Sequence, residues 1–320
     1  SDEFYTLCDR EGMLVWAEIP LVGKALDTPE FTENMKTELT ELIRQNFNHP
    51  SIFCWSLCNE LSKGDVKGLI SELNSVSHRE DPGRLTVLAA NVEKRPENAV
   101  PDIMAFNTYP GWYWAEPSEM KSTLERWNRQ CGNKGIAVSE YGAGANVWHH
   151  WQTGKKTPKA DGGFHPEEWQ ATVHEQTYDA IKRSGFAWGS FVWNMFDFAS
   201  ASRNEGDMPG MNDKGLVSYD RKIRKDAFYF YQSEWSEEPV VHIASRRDVA
   251  RRDSLTDVKV YTNCETVRLK VNGKDCGSPE RNGSICIWRK VGLKHGENQV
   301  EAFGHRGGQE FSDRCKWVLF

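Results

Sequence analysis

Ile52-Phe53-Cys54-Trp55-Ser56-Leu57-Cys58-Asn59-Glu60 is a short apolar run that stops at a carboxylate. Its length and near-continuous apolarity fit a strand buried on both faces, as in a parallel sheet, rather than a half-exposed one. A second segment repeats the arrangement: Ile136-Ala137-Val138-Ser139-Glu140-Tyr141-Gly142 ends an apolar run at Glu140 and passes into glycine-rich loop sequence. Parallel barrels place their chemistry at the carboxyl ends of their strands, so a glutamate there reads as a reacting group. One such glutamate is matched equally well by an ordinary charged residue closing a strand. Two of them, in the contexts Asn59-Glu60 and Ser139-Glu140-Tyr141-Gly142, are what glycosidic bond cleavage needs: one proton donor and one nucleophile or base.

Working outward, strand and helix patterns alternate from the first residues to about position 235. Leu14 to Pro20 reads as a strand, and residues 30 to 47 as a helix with Phe31, Met35, Leu39, Leu42 and Ile43 on one face. After Glu60 comes a helix carrying Val66, Leu69, Ile70, Leu73 and Val76, then strands at Leu85–Ala89 and Ile103–Tyr109. A helix with Met120, Leu124 and Trp127 leads to the strand ending at Glu140. A long polar loop, 152 to 164, precedes a helix whose first turn holds Pro166, Glu167 and Glu168, residue types favoured there. The last strand is Phe186–Trp193. Alternation of this kind specifies a parallel α/β fold, and six strand units are two fewer than a (β/α)8 TIM barrel requires. The expectation is a barrel lacking its first two strands in this chain, over residues 1–236.

From about residue 237 to 320 the pattern becomes two-residue alternation, as in Val258-Lys259-Val260 and Val267-Arg268-Leu269-Lys270-Val271, with Asn272-Gly273 and Asn282-Gly283 supplying hairpin turns. This is an all-β sandwich of immunoglobulin size, read as an accessory module buttressing the barrel.

Composition narrows the partners. A net charge of −6 with both signs interspersed disfavours nucleic acid, and no apolar run reaches the roughly 18 residues of a membrane span. No compact acidic cluster suggests a metal, and no cofactor is expected. The eight cysteines contain no CxxC pair and read as free thiols, with one disulfide among the last four as the alternative. Cys54 and Cys58, an even number apart on one strand, read as small buried hydrophobes. His49, His149, His150 and His165 read as structural or solvated side chains. The 13 tryptophans fit a carbohydrate enzyme, because sugar C–H faces stack on indole, and fit an aromatic core equally. A homo-oligomer is compatible with these residues, and so is a cytoplasmic or a periplasmic location.

Several segments, in order, resemble glycoside hydrolase family 2, the group of β-galactosidases, β-glucuronidases and β-mannosidases. Phe4 to Asp9 and Leu14 to Pro20 are similar to the family's third barrel repeat, and Asn48-His49-Pro50-Ser51-Ile52 running to Asn59-Glu60 to its acid/base signature, with Cys58 where a glycine is usual. Ser139 to Ala143 resembles the nucleophile segment, Phe191 to Phe198 the last barrel strand, and Val258 to Cys276 the C-terminal immunoglobulin-like module. The resemblance implies Glu60 as general acid/base and Glu140 as nucleophile of a retaining mechanism, with Asn59 on the sugar 2-hydroxyl. It implies Tyr109 as a donor to the nucleophile and Trp193 as a sugar-stacking platform. Trp112, Tyr113 and Trp114 would line the leaving-group side or cover an apolar rim. Some galactosidases of the family carry a histidine three residues after the nucleophile, where Ala143 stands here.

For the sugar, Asn212 and Lys214 match an Asn-x-Lys that pairs with the substrate carboxylate in the family's glucuronidases. The surrounding Asn212 to Tyr231 also resembles bacterial members assigned as galactosidases. The expectation is therefore a retaining exo-β-glycosidase acting on terminal β-galactosides, with a β-glucuronidase as the alternative. A catalytically incomplete sugar-binding fragment and a cellulase-like barrel are the rival classes.

Overall fold

The computed structural model describes residues 1–63, 66–92, 94–151 and 157–320. In chain order the first elements are α1 (Asp2–Glu11), β1 (Val15–Glu18), β2 (Val22–Lys24), α2 (Pro29–Asn46), β3 (Ile52–Lys63), α3 (Lys67–Glu80), β4 (Leu85–Ala90), β5 (Ala105–Asn107), α4 (Met120–Gln130), β6 (Ile136–Tyr141), α5 (Glu167–Lys182) and β7 (Ala187–Val192). Local chemistry accounts for their limits. Thr28 caps α2, its hydroxyl accepting from the Phe31 amide at 3.2 Å, and Pro29 occupies the first turn, where its missing N–H costs nothing. Met35, Leu39 and Ile43 of that helix are buried at four-residue spacing.

The strands lie in the order β1-β3-β4-β5-β6-β7, with short β2 added beside β3. The neighbours from β1 to β6 pair in parallel. Sheet order follows chain order without the reversal of a doubly wound sheet, which is the winding of a TIM barrel. The chain thus carries six strands of a curled barrel sheet, as the alternation predicted. One sheet face is lined by small buried residues, Cys54, Val87, Ala105 and Ala137, with Trp16, Phe53 and Ile103 packed against them. Toward the helices, the buried Trp55 indole donates to Asp81 at 3.0 Å and Arg84 donates to the same oxygen at 2.6 Å, so this polar pair is satisfied.

One strand is shorter than its sequence suggested. Ile103–Tyr109 reads as seven extended residues, yet the regular strand is only Ala105–Asn107. Asp102 turns back to accept from the Thr86 amide at 2.8 Å, and after Asn107 the chain bends so that Trp112 and Tyr113 both donate to the Tyr109 carbonyl. Of the polar loop 152–164, residues 152–156 lie outside the described residues.

By its contacts the chain divides into two compact units. The first holds Ser1–Thr108, Glu119–Tyr141 and Ala180–Phe191, and therefore most of the parallel sheet. The second holds Tyr109–Ser118, Gly142–Asp179 and Val192–Phe320. It contains the hairpin β8 (Phe198–Glu205) and β9 (Met208–Asn212), α6 (Asp226–Trp235), and the strands β10 (Val241–Ile243), β11 (Ala250–Arg251), β12 (Leu255–Thr262), β13 (Thr266–Val271), β14 (Lys274–Asp275), β15 (Glu280–Asn282), β16 (Ile285–Gly292), β17 (Gly296–Arg306) and β18 (Gln309–Leu319). These form two sheets, β10-β12-β16-β15 and β11-β18-β17-β13-β14. Asn272 and Gly273 both adopt positive φ between β13 and β14, the conformation a two-residue hairpin turn requires. Val258, Val260, Leu269, Cys286, Trp288, Val300 and Trp317 fill the space between the sheets. The eight cysteines are all free thiols, so no disulfide joins the last four, and Cys54 and Cys58 are buried.

Charged side chains fasten the sandwich to α5 and α6. Glu175 accepts from Lys259 at 2.7 Å and from the Tyr261 hydroxyl. Asp226 accepts from the Ser245 amide at 2.6 Å and bonds His242 at 3.0 Å, while Arg247 reaches fully buried Glu167.

Candidate active site

The strand ends of the first unit bring the sequence-predicted residues together through one side chain that the sequence did not single out. Asn59 and Glu60 stand on β3, Asn107 ends β5, and Ser139 and Glu140 stand on β6. Asn107, buried at 4 % exposure, donates from Nδ2 to Glu60 Oε1 at 2.8 Å and to Asn59 Oδ1 at 2.9 Å. The Ser139 hydroxyl donates to Asn107 Oδ1 at 2.7 Å, which turns the amide nitrogen toward those two residues. Asn107 is also the register partner of Glu140, whose carbonyl accepts from the Thr108 amide at 2.8 Å. One amide therefore ties the β3 glutamate to the strand beside the β6 glutamate.

Backbone irregularity clusters at the same place. Glu60 has φ of 50°, in the left-handed region that a non-glycine residue enters at a cost of about 1–3 kcal/mol. The β3–β4 register slips between Ser56 and Asn59, and the β5–β6 register slips between Phe106 and Asn107. Such irregularities re-aim side chains, and here they fall at the residues nominated for chemistry. Asn59, Glu60 and Glu140 are all half-buried.

The second unit gathers the other nominated residues into a buried polar group. Lys214, at 1 % exposure, extends Nζ to Glu205 Oε2 at 3.2 Å and lies over the rings of Trp112 and Tyr113, 5.6 and 5.2 Å from their centroids. Arg203 pairs with Glu205 and donates to the Tyr113 hydroxyl at 3.2 Å. Asn212 accepts from the Lys214 amide at 3.1 Å, an Asx turn that shapes the loop. Beneath it, Lys225 is fully buried and donates to the Ala145 carbonyl, Asp197 Oδ1 and the Asp213 carbonyl at 2.6, 2.8 and 2.8 Å. Burial pushes the Asp213 carboxyl up, but the 2.6 Å bond from His165 and the Lys225 and Lys214 charges outweigh it and hold it below the usual range.

Glycine makes this packing possible. A Cβ on Gly144 would lie 2.2 Å from Asp213 Oδ1, and one on Gly142, whose φ is 150°, would lie 2.6 Å from the Trp193 carbonyl. Tyr109 and Trp193 fall in one cluster with Trp112, Ala143 and Val173; Tyr109 is buried and Trp193 half-buried. Trp112 is buried, whereas Tyr113 and Trp114 are exposed. His165 is a buried partner of Asp213, and His49 and His150 bond to Asp9 and Glu168. Sequence reasoning missed Asn107, Ser139, Arg203, Glu205 and Lys225. Only Asn107 carried a readable signal, being polar at a strand end like the two glutamates.

A parallel barrel sheet with glutamates at two strand ends defines the class as a barrel glycoside hydrolase fold. Residues 1–237 match the glycosyl hydrolases family 2 TIM barrel domain, and residues 253–312 match a domain of unknown function, DUF4982. The chain belongs to glycosyl hydrolase family 2. It is 43% identical over 307 residues to a β-glucuronidase of Bacteroides fragilis, an alignment spanning 92% of this chain and 44% of that protein. A solved structure from Bacteroides fragilis, described as a candidate β-galactosidase, superposes with TM-score 0.94 at 34% identity, covering 100% of this chain and 48% of that one. Bacteroides uniformis β-glucuronidase 2, covalently bound to cyclophellitol-6-carboxylate aziridine, superposes with TM-score 0.86 at 27% identity, covering 100% of this chain and 40% of that one. The chain spans less than half the length of these relatives. Among the described residues, no helix is long and apolar enough to cross a membrane.

Proposed function

We propose that this chain carries the reacting and sugar-reading residues of a retaining exo-β-glucuronidase, residues 1–236 supplying the reaction and 237–320 the buttress. The observation that carries the reading is Lys214: a buried ammonium lying over the rings of Trp112 and Tyr113 and bordered by Glu205 and Arg203, a group with one net positive charge. A cation so placed suits a carboxylate and offers nothing particular to a neutral hydroxymethyl group. The relatives named β-glucuronidase support the same sugar, and so does the carboxylated inhibitor on the Bacteroides uniformis enzyme. The galactoside preferred from sequence therefore yields to the glucuronide, although one structural relative is described as a candidate β-galactosidase.

In this reading Glu140 attacks the anomeric carbon while Glu60 protonates the departing oxygen. Glu60 then takes a proton from water as the covalent glycosyl ester is hydrolysed. Asn107 is a positioning residue, fixing Glu60 and Asn59 together. Asn59 contacts the 2-hydroxyl, Tyr109 serves the nucleophile, Trp193 supports the ring, and Asn212 with Lys214 reads the carboxylate.

The test compares an aryl β-glucuronide with an aryl β-galactoside on the full-length protein. Losing a charged hydrogen bond of about 1.5–3 kcal/mol predicts that Lys214→Ala lowers kcat/KM for the glucuronide about 10- to 150-fold and spares any galactoside rate. Preference for the galactoside, or full glucuronide activity in the variant, would refute the assignment.

A further inference from the structure

Arg203 and Glu205 stand two residues apart on β8, so their side chains leave the ribbon on the same face. The turn beyond them is tight: Gly206 and Asp207 both adopt positive φ, and Glu205 pairs with Met208. Its backbone is fixed from two sides. The Gly206 amide donates to the Gly162 carbonyl at 3.0 Å, and the Gly206 carbonyl accepts from Asn146 Nδ2 at 2.8 Å. A Cβ on Gly206 would lie 2.3 Å from Asp213 Oδ2, so only glycine lets the turn come this close to the residue before Lys214. Glu205 is thereby held in place, its side chain 8% exposed.

The Glu205 carboxylate is shared between two cations. Oε1 accepts from Arg203 Nη1, and Oε2 meets Lys214 Nζ at 3.2 Å. Arg203 also donates to the Tyr113 hydroxyl at 3.2 Å and is partly in solvent, whereas Lys214 is buried. Were Glu205 to answer Lys214 alone, a buried carboxylate and a buried ammonium would cancel, leaving little to attract an anionic sugar. Arg203 prevents that cancellation: two positive charges and one negative leave a single positive charge over. An arginine stays charged at every working pH, so the surplus is permanent. Asp197, Asp213 and Lys225 carry the other buried charges near this group and are common to every variant compared below.

We propose that Arg203 sets the preference for a carboxylated sugar without touching the sugar: it engages Glu205 and so frees the Lys214 ammonium to meet the substrate carboxylate. Arg203 is a positioning residue acting through Glu205, and its role rests on the reading of Lys214 as the residue that meets the carboxylate. That carboxylate stands apart from the anomeric carbon and keeps its charge throughout the reaction, so its recognition favours ground and transition states alike. A change in the net charge of the group therefore appears in KM and leaves kcat nearly alone. The sign follows the charge count. Neutralising Arg203 cancels the surplus, and neutralising Glu205 as well restores it.

The experiment is steady-state kinetics of the full-length protein on para-nitrophenyl β-glucuronide. Arg203→Gln is expected to raise KM about tenfold, with kcat within about twofold of wild type. Glu205 keeps Lys214 as its partner in that variant, so no buried charge is stranded. Adding Glu205→Gln is expected to bring KM back to within about threefold of wild type, because the positive surplus returns. Loss of a merely structural contact would be deepened by the second change, not relieved. An unchanged KM in Arg203→Gln would overturn the proposal. So would a double variant as impaired as the single one, the result expected if the guanidinium held the sugar itself or only braced Tyr113. Lys214→Ala tells the two levels apart. Full glucuronide activity there would remove the lysine as reader and Arg203 with it, whereas a loss there without rescue in the double variant would overturn the role of Arg203 alone.

Discussion

Replacing Lys225 by methionine removes one ammonium from a place water does not reach. Its Nζ holds Asp197 Oδ1 at 2.8 Å and two main-chain carbonyls, those of Ala145 and Asp213. The Asp213 carbonyl keeps a second donor, the Ala145 amide at 3.0 Å, so most of the loss falls on Asp197. That carboxylate is 3 % exposed and would retain the Gly215 amide at 2.9 Å. Breaking a buried pair from one side costs about 3–5 kcal/mol, which for a chain of this size lowers Tm by roughly 4–8 °C. The loss should carry a pH signature. Burial already holds the Asp197 carboxyl above its ordinary value, and the Lys225 charge pulls it back; without the lysine it climbs further. A folded state that holds its proton more tightly than the unfolded chain loses stability as pH rises between the two values. The deficit of Lys225→Met should therefore be larger at neutral pH and shrink toward pH of about 4, near the ordinary aspartate value. Thermal melts of the full-length protein across that range are the assay. Adding Asp197→Asn, which keeps an acceptor for Gly215 and removes the stranded charge, should recover most of the loss. A Tm within about 1 °C of wild type at neutral pH, or a deficit indifferent both to pH and to Asp197→Asn, would refute the reasoning.

Glu140→Gln should abolish turnover, whereas Glu60→Gln should slow mainly substrates with poor leaving groups, read by comparing aryl glycosides of graded phenol acidity; wild-type rates in both would end the two-carboxylate assignment. Burial, followed by the nearby Asp226 charge, holds the Glu167 carboxyl above the usual range despite Arg247. Its contribution to stability accordingly falls as pH rises from the ordinary glutamate value to the raised one, and Glu167→Gln should lose less Tm between pH of about 5 and 8 than wild type does.

How far the sequence could be read depended on the range of the interactions involved. Strand and helix alternation, the apolar faces of α2 and α3 and the hairpin at Asn272-Gly273 are local patterns, and they appear in the structure where the residues placed them. The early end of β5 was hidden because Asp102 and Tyr109 divert the chain through bonds to Thr86, Trp112 and Tyr113, which apolar spacing does not encode. Glu60 and Glu140 could be nominated because each ends an apolar run. Asn107 offered only its place at a strand end, since its bonds run to residues 47 and 48 positions away. Glu205 and Lys225 were hidden for a related reason: a charged residue reads as surface until its buried partner is known, and their partners Lys214 and Asp197 are nine and 28 positions distant. The sugar preference turns on the same point, because Asn212-Asp213-Lys214 in isolation does not disclose that its lysine is buried over two aromatic rings.

The hairpin of β8 and β9 ends at Asn212, and its other strand carries Arg203 and Glu205. Glu60, Asn107 and Glu140 are distributed over three strands of the parallel sheet, bonded into a framework in which a change at one disturbs the next. The residues proposed to choose the sugar occupy one short antiparallel ribbon and the three residues at its exit. Heritable variation can therefore act on them with little penalty to the reaction: exchanges along the ribbon alter what surrounds the lysine, and neither strand bearing Glu60 or Glu140 has to change. The residues proposed to read the sugar thus lie within about eighteen consecutive codons, away from those of Glu60 and Glu140.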